Sequence, residues 1–431
     1  MPAAPRERNL RERSLGERSP NARRPNERNL RERTPMSGPL HGIKIVELSV
    51  ALTGPLAVGM LVDQGAEAIK IELPGFGDQG RYVGVNKAGI SAMYQVCNRG
   101  KRAIAVDTHD ERGRDIVLDL AADADLFVQN MRPGALDRMG LGAEDLHARN
   151  PDLVIAALSG FGQTGPYAHR RVYDSVVQAQ AGLAASQMGL HDDEPAFLRQ
   201  VAADKITAYT ACQAMTAALL ARERGAGGQV VECSMLDSVV SFLFADAAGH
   251  EILLDNDMPH VSQSFSAQQK AMRLLDGFVV VTPVTDAEFH GIAASFDVDS
   301  SNPLLATMAD RVQNKEEMSV LMRKVYASAA TRTLAEATAA MESNDVPFGV
   351  VLGVEEIADD PQVVHNETFV THQSPLLGRV QQPRPPARFN GTPAEIRSPE
   401  APVLGAHTDE VLTEYGWGDR LAELREASVI Q

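Results

Sequence analysis

Residues 159–183, SGFGQTGPYAHRRVYDSVVQAQAGL, concentrate side chains and spacings that can do chemistry. Gly160, Gly162 and Gly165 have the G-x-G-x-x-G spacing of a loop that wraps a dinucleotide pyrophosphate. Such a loop needs a strand before it, a helix starting within it, and an acid ~20 residues further on at a strand end. The strand is there, as PDLVIAALS, but Pro166 and the polar run YAHRR stand where the helix should begin. No strand ends in an acid near residue 185, and the first βα turn, SVALTGP, lacks the motif. No nicotinamide cofactor is therefore expected. The glycines are expected to make tight turns that place RRVYD. A second group of interest is Asp204, which opens the long run DKITAYTACQAMTAALLARERGAGG. Aspartate before a helix is a favoured N-cap worth ~0.5–2 kcal/mol, and on residue type alone that is its default role. It is also ionised at neutral pH, with an ordinary pKa of about 3.9, so it can act as a nucleophile without an activating base.

These groups need a frame. From Gly42 onward IKIVELS reads as a buried strand, GPLAVGMLVDQGA as a helix with Pro55 in its first turn, and EAIKIELP as a second strand. RAIAVD, the helix ERGRDIVLDLAADA, DLFVQNM and PDLVIAALS continue the alternation, which predicts a doubly wound parallel α/β sheet. After the 204–228 helix come strand QVVECS and helix MLDSVVSFLFADAAGHEILL. DGFVVVTPV and KEEMSVLMRKVYASAA then suggest a smaller α+β domain over 260–345, between a large domain over 37–240 and a return to it over 346–431. The Pro-rich stretch 374–402 is expected to run extended, and HTDEVLTEYG to form a last helix with Thr408 as N-cap.

Composition narrows the function. A chain of 431 residues, 44% hydrophobic and 23% charged, is globular and too long for one ordinary core. No apolar run reaches the ~18 residues of a membrane span. The net charge of −16 disfavours nucleic acid as a partner. Cys97, Cys212 and Cys233 lack paired or metal-type spacing, which points to a reducing, cytoplasmic setting without a metal. Residues 1–36 differ in kind: PRERNLRERS recurs as PNERNLRERT, with ten Arg against five Glu over 1–35. That head is expected to be a disordered tail, or upstream sequence ahead of a start at Met36.

GIKIVELSVALTGPLAVGMLVDQGAEAIKIELPGFGD, NRGKRAIAVD, NMRPGALDRMGLG, NPDLVIAALSGFGQTGP, VYDSVVQAQAGLAA and APVLGAHTDEVL stand in an order and spacing that are specific in combination. From about residue 39 to the end the chain resembles the class III CoA-transferase family of CaiB/BaiF type, which includes formyl-CoA transferases and α-methylacyl-CoA racemases. The resemblance implies a Rossmann-like large domain built from both ends of the chain, a small domain, and two chains interlocked as a homodimer. It implies acyl-CoA and carboxylic acid substrates, and a covalent route through an aspartyl anhydride and an enzyme–CoA thioester. The nucleophile falls on Asp204.

The CoA contacts implied by motif position are Leu52, Thr53, Val106, Asp107, Asn130, Met131, Arg132, Ala135, Arg138, Arg171, Tyr173 and Asp174. For each arginine a solvated surface role is an equal alternative. Tyr173 could also be a packed aromatic and Asp174 a helix cap. Family racemases have a His before the Asp174 position; Tyr173, with an ordinary pKa of about 10, is a poor base at neutral pH, so transfer is favoured over racemisation. A CoA-binding protein without chemistry is the remaining alternative. Leu52, Leu73 and His109 stand where formyl-CoA transferase has Gln, Arg and Lys, and 241–280 lacks that enzyme's Gly-rich loop. Oxalate and formate are thus poorly supported, and donor and acceptor stay open.

Overall fold

The apolar runs of the first half form strands covered on both faces. In the computed structural model, which describes residues 38–188, 194–255 and 270–431, six of them make one parallel sheet. They are β1 (Lys44–Leu48), β2 (Glu67–Glu72), β3 (Arg102–Ala105), β4 (Leu126–Gln129), β5 (Val154–Ser159) and β6 (Gln229–Ser234). Their order is β3-β2-β1-β4-β5-β6, every neighbouring pair parallel. This is the order of doubly wound nucleotide-binding folds, as the alternating pattern predicts. The Arg-rich head over 1–36 lies outside the described residues.

The helices that bear on the site are α1 (Thr53–Asp63), α2 (Glu111–Ala122), α3 (Asp174–Gln180), α4 (Ala202–Ala221) and α5 (Met235–Phe244). Because successive strand residues point to opposite faces, the sheet builds two cores. Val46, Leu48, Phe127 and Ile155 face one core, with Ile116 and Leu120 of α2. Val411, Leu412 and Leu424 from the end of the chain fill the same core, so both ends build one layer. Ile45, Leu126 and Val128 face the other core, with Val58 and Leu61 of α1 and Ala208, Ala211 and Met215 of α4. The alanines of α4 let it lie close on α1.

A second, antiparallel sheet, ordered β9-β8-β7, comprises β7 (Met272–Arg273), β8 (Phe278–Val281) and β9 (Phe348–Val350). Phe296, Val325 and Met341 pack behind it. Here the boundary at 346 needs correction: PFGVV pairs with β8 and belongs to this small sheet. A short β-branched run reads the same in either sheet, so its pattern cannot choose. The first part of the stretch from 374 is extended as a paired strand. β10 (Phe369–Ser374) and β11 (Gly378–Pro383) form a hairpin across it. The helix predicted over 235–254 breaks after Phe244, with a separate turn at Gly249–Ile252. The helix expected to be the last, Thr408–Glu414, is followed by another at Leu421–Glu426; Thr408 does not cap the first of these but is its first residue, and its hydroxyl accepts the Ala105 N–H at 3.1 Å, tying the chain end to β3.

The face of the sheet beneath α1 also holds charges that strand patterning does not reveal. Glu47 of β1 and Lys70 of β2 are register partners, both fully buried. Glu47 meets Lys70 at 3.2 Å and Lys101 at 2.7 Å. Lys101 also donates to the Pro55 carbonyl, 2.9 Å, and to Asn98, 3.0 Å. Burial pushes the Glu47 carboxyl up, but Lys101 and Lys70 outweigh it and hold the acid below its ordinary range. Breaking a buried pair leaves the partner charge stranded. Lys101→Met is therefore expected to cost about 3–5 kcal/mol, read as a lower urea midpoint at unchanged slope.

Candidate active site

β1 and β4 are sheet neighbours whose chains leave in opposite directions, and doubly wound folds bind ligands at the crevice this opens. Asn130, just past β4, bridges the gap: its Oδ1 accepts the Val50 N–H at 2.9 Å and its Nδ2 donates to the Val50 carbonyl at 2.8 Å. The two loops are thereby locked as the floor of a cleft of about 370 Å³. Thr53 opens α1 on one side, and Met131 and Arg132 follow Asn130 on the other. Gly160 and the segment Arg170–Tyr173 form a third wall, and Asp204 closes the cleft from α4.

The glycines serve the third wall. A Cβ on Gly160 would lie 2.2 Å from Val172 Cγ1, so only glycine lets that segment fold back on β5. Gly162 and Gly165 take φ of +98° and +96°, left-handed turns natural to glycine. No helix starts among them; the next is α3 at Asp174. The pyrophosphate-loop reading is excluded by geometry, and the turn reading holds.

Asp204 is not the N-cap of its helix. Val201, at φ +45°, occupies the cap position, and Asp204 is the third helical residue. Its backbone N–H is capped instead by another side chain, Asp174 Oδ1, at 3.1 Å. The Asp204 carboxylate is thus spared for the cleft. Its Oδ1 accepts the Thr53 hydroxyl, and its Oδ2 has no hydrogen-bond donor among the described residues. Burial raises the Asp204 pKa above the ordinary value, Thr53 partly offsets this, and the charge of Asp174 adds to it.

The structure brings Thr53, Asn130, Met131, Arg132, Arg171, Tyr173 and Asp204 around one cleft. Leu52, at the cap position of α1, is buried, 6% exposed, and does not line the cleft. Asp174 lies behind Asp204 rather than in the cleft wall, and does not cap α3, where Tyr173 holds the cap position. Tyr173 is 70% exposed, so it is no packed aromatic. Val106 and Asp107 follow β3, two strands away; Val106 bridges Ile430, and Asp107 accepts the His109 amide at 3.0 Å. Ala135 and Arg138 form the short helix after Arg132–Gly134. These four lie along the same carboxyl edge of the sheet but outside the Asp204 cleft.

Gln79 and Arg170 line the cleft without having been singled out. The doubled arginine at 170–171 was the available signal for the second. Arg170 lies 3.7 Å over the Tyr167 ring, and among the described residues neither it, Arg171 nor Arg132 pairs with a carboxylate. Three free guanidinium groups around one acid fit an anionic ligand such as CoA. No cluster of three or more His, Cys, Asp or Glu among the described residues is placed to hold a metal.

Two outcomes follow from this geometry. Gly160→Ala pushes Val172 out of its seat and is expected to lower turnover about tenfold or more, since catalytic placement is sensitive at the ångström scale. Steady-state rates beside a circular-dichroism melt separate that loss from unfolding. For Asp204 the folded pKa is raised, so the folded state keeps its proton to higher pH than the unfolded chain. Stability from this group is full below the unfolded value and lost as pH rises through the folded one. Asp204→Asn is accordingly expected to raise Tm at neutral pH and to leave it unchanged in acid. Calorimetry at both pH values checks it.

The model of CoA-transferase family III matches residues 40–408. Over 399 residues the chain is 32% identical to the succinyl-CoA:glutarate CoA-transferase of Homo sapiens, covering 91% of this chain and 90% of the relative. It is also 32% identical over 400 residues to the succinate–glutarate CoA-transferase of Agrobacterium fabrum, at 89% and 97% coverage. With the formyl-CoA:oxalate CoA-transferase of Escherichia coli the identity is 28%, covering 89% of this chain and 97% of that one. Among solved structures, a CAIB/BAIF family protein from Brucella suis matches with a TM-score of 0.76 at 29% identity, covering 88% of this chain and all of that one. Agreement over this length, in sequence and in fold, makes the chain a member of CoA-transferase family III, an enzyme that transfers CoA.

Proposed function

We propose that the enzyme moves CoA from an acyl-CoA to a free carboxylic acid through covalent intermediates on Asp204. The observation that carries this is the state of that carboxylate: half-buried, one oxygen held by Thr53 and the other free, in a cleft with three unpaired arginines. Oδ2 adds to the thioester carbonyl, the C–S bond breaks, and CoA leaves as thiolate from a mixed anhydride. The thiolate then adds to the Asp204 carbonyl and the first acid departs, leaving an enzyme–CoA thioester. An acceptor carboxylate attacks this thioester, re-forming an anhydride and releasing thiolate. Attack of that thiolate on the new acyl carbonyl frees the product and Asp204. Each step exchanges one activated acyl group for another, so thioester energy is not lost to water.

Arg132, Arg170 and Arg171 are suited to the CoA phosphates and the acid substrate. The relatives named for succinyl-CoA and glutarate make that pair the first to test. Racemisation gains no support from the site, where the exposed Tyr173 stands in the position of a base. The reading includes a homodimer, supported by an apolar groove of about 480 Å³ lined by Tyr209, Leu220 and Phe389, and a cytoplasmic setting, supported by three buried free cysteines.

Intact-mass spectrometry after mixing with succinyl-CoA tests the reading. Wild type is expected to gain a CoA- or succinyl-sized adduct that hydroxylamine removes, and Asp204→Ala is expected to gain none. A hydroxylamine-sensitive adduct on Asp204→Ala would place the chemistry elsewhere, and exchange of the substrate α-proton with deuterium would favour racemisation.

A further inference from the structure

Below the cleft lies a group of buried charges that the chemistry above does not use. Lys70, Glu47 and Asp78 are fully buried, and none reaches the cleft. Asp78 Oδ1 accepts two backbone amides, those of Ala51 and Gly80, each at 2.7 Å. Its Oδ2 pairs with Lys70 Nζ at 2.9 Å. The same ammonium donates to the Ser49 carbonyl at 2.7 Å and meets Glu47 at 3.2 Å. One lysine thus ties down the backbone at residue 49 directly and at residue 51 through Asp78. The turn between them is the loop after β1.

That turn needs holding. Ala51 sits at φ +69°, a left-handed conformation that L-residues other than glycine adopt only at a cost. The surroundings allow it little freedom: a Cβ on Gly80 would lie 3.0 Å from the Ala51 carbonyl, so the Asp78–Gly80 turn is pressed against this peptide. Two residues on, Thr53 starts α1 and gives its hydroxyl to Asp204. Buried ion pairs rarely stabilise a fold better than apolar packing of the same volume. A cluster aimed at one strained turn is better explained by the geometry it enforces.

We propose that Asp78, held by Lys70, is a positioning residue for CoA transfer. It sets the Ala51 turn, and through it the Thr53 hydroxyl that orients the Asp204 carboxylate. The inference rests on Asp204 being the nucleophile.

The test is a double-mutant cycle on the rate of adduct formation with succinyl-CoA and on kcat and KM with succinyl-CoA and glutarate. The variants are Thr53→Ala, Asp78→Ala and the pair, with a melt of each. Each single change is expected to lower the adduct rate and kcat about tenfold or more with KM within about threefold. The pair is expected to lose no more than the worse single variant, because both act through one hydrogen bond. Losses that multiply in the pair, or a folded Asp78→Ala with wild-type kcat, would overturn the proposal. Should Asp78→Ala fail to fold, Asp78→Asn replaces it in the cycle; failure of both to fold overturns the proposal, since it would show a role in the fold itself. An adduct persisting on Asp204→Ala is a separate result that sinks the nucleophile reading, whatever the cycle gives.

Discussion

A fully buried carboxylate, Glu47, holds the centre of the sheet in place. Alone it would protonate or unfold the strand, because burial strongly disfavours its charge. Lys70 from β2 and Lys101 from the turn before β3 make the charge tolerable, and in doing so they join three neighbouring strands. Lys101 also reaches Pro55 in the first turn of α1, and Lys70 reaches the backbone just past β1. The loop after β1 therefore leaves a rigid base rather than a greasy one. Every group that faces the cleft from that side inherits its position from these contacts.

On that base the site reconciles two demands on one acid. A nucleophilic carboxylate works best with little water around it, yet drying it out makes it cling to a proton. The protein dries one side of Asp204 and compensates with a single hydroxyl, Thr53, leaving the second oxygen free. The helix that carries the acid is capped from outside by Asp174, so capping and chemistry do not compete for the same oxygens. The arginines are arranged the opposite way. Arg170 and Arg171 are exposed and unpaired, at the rim, where long side chains can follow a ligand of several charges as it arrives and leaves.

Membership in CoA-transferase family III settles the class of reaction, whereas the acids exchanged are a matter for the site and not for the fold. The structure locates the three positions at which the resemblance implies a departure from formyl-CoA transferase. Leu52 is buried just before Thr53, while Leu73 and His109 are exposed near the ends of β2 and β3. None of the three lines the Asp204 cleft. Their effect on specificity would have to come through the floor or along the sheet edge.

Much of the frame could be read from the chain alone. The alternation of apolar runs and helices determined the parallel sheet, and the broken G-x-G-x-x-G context pointed away from a dinucleotide loop, because both depend on local spacing and turn chemistry. Of the residues that the resemblance implied, the fold gathers Thr53, Asn130, Met131, Arg132, Arg171, Tyr173 and Asp204 around one cleft and leaves Val106, Asp107, Ala135 and Arg138 outside it. Contacts between distant segments were decided only in the folded state. A cap role for Asp204 was the natural local reading, and the fold gave that role to Asp174, thirty positions earlier. The charges in KIVEL and EAIKIE were a visible signal that something must pair with them inside a buried sheet. Which partners they found, and that Asp78 would use one of them to hold Ala51 in a left-handed turn, depends on strand register and on a loop folding back. Local sequence specifies spacing along the chain, whereas a buried charge is satisfied by whatever the tertiary structure brings within 3 Å of it.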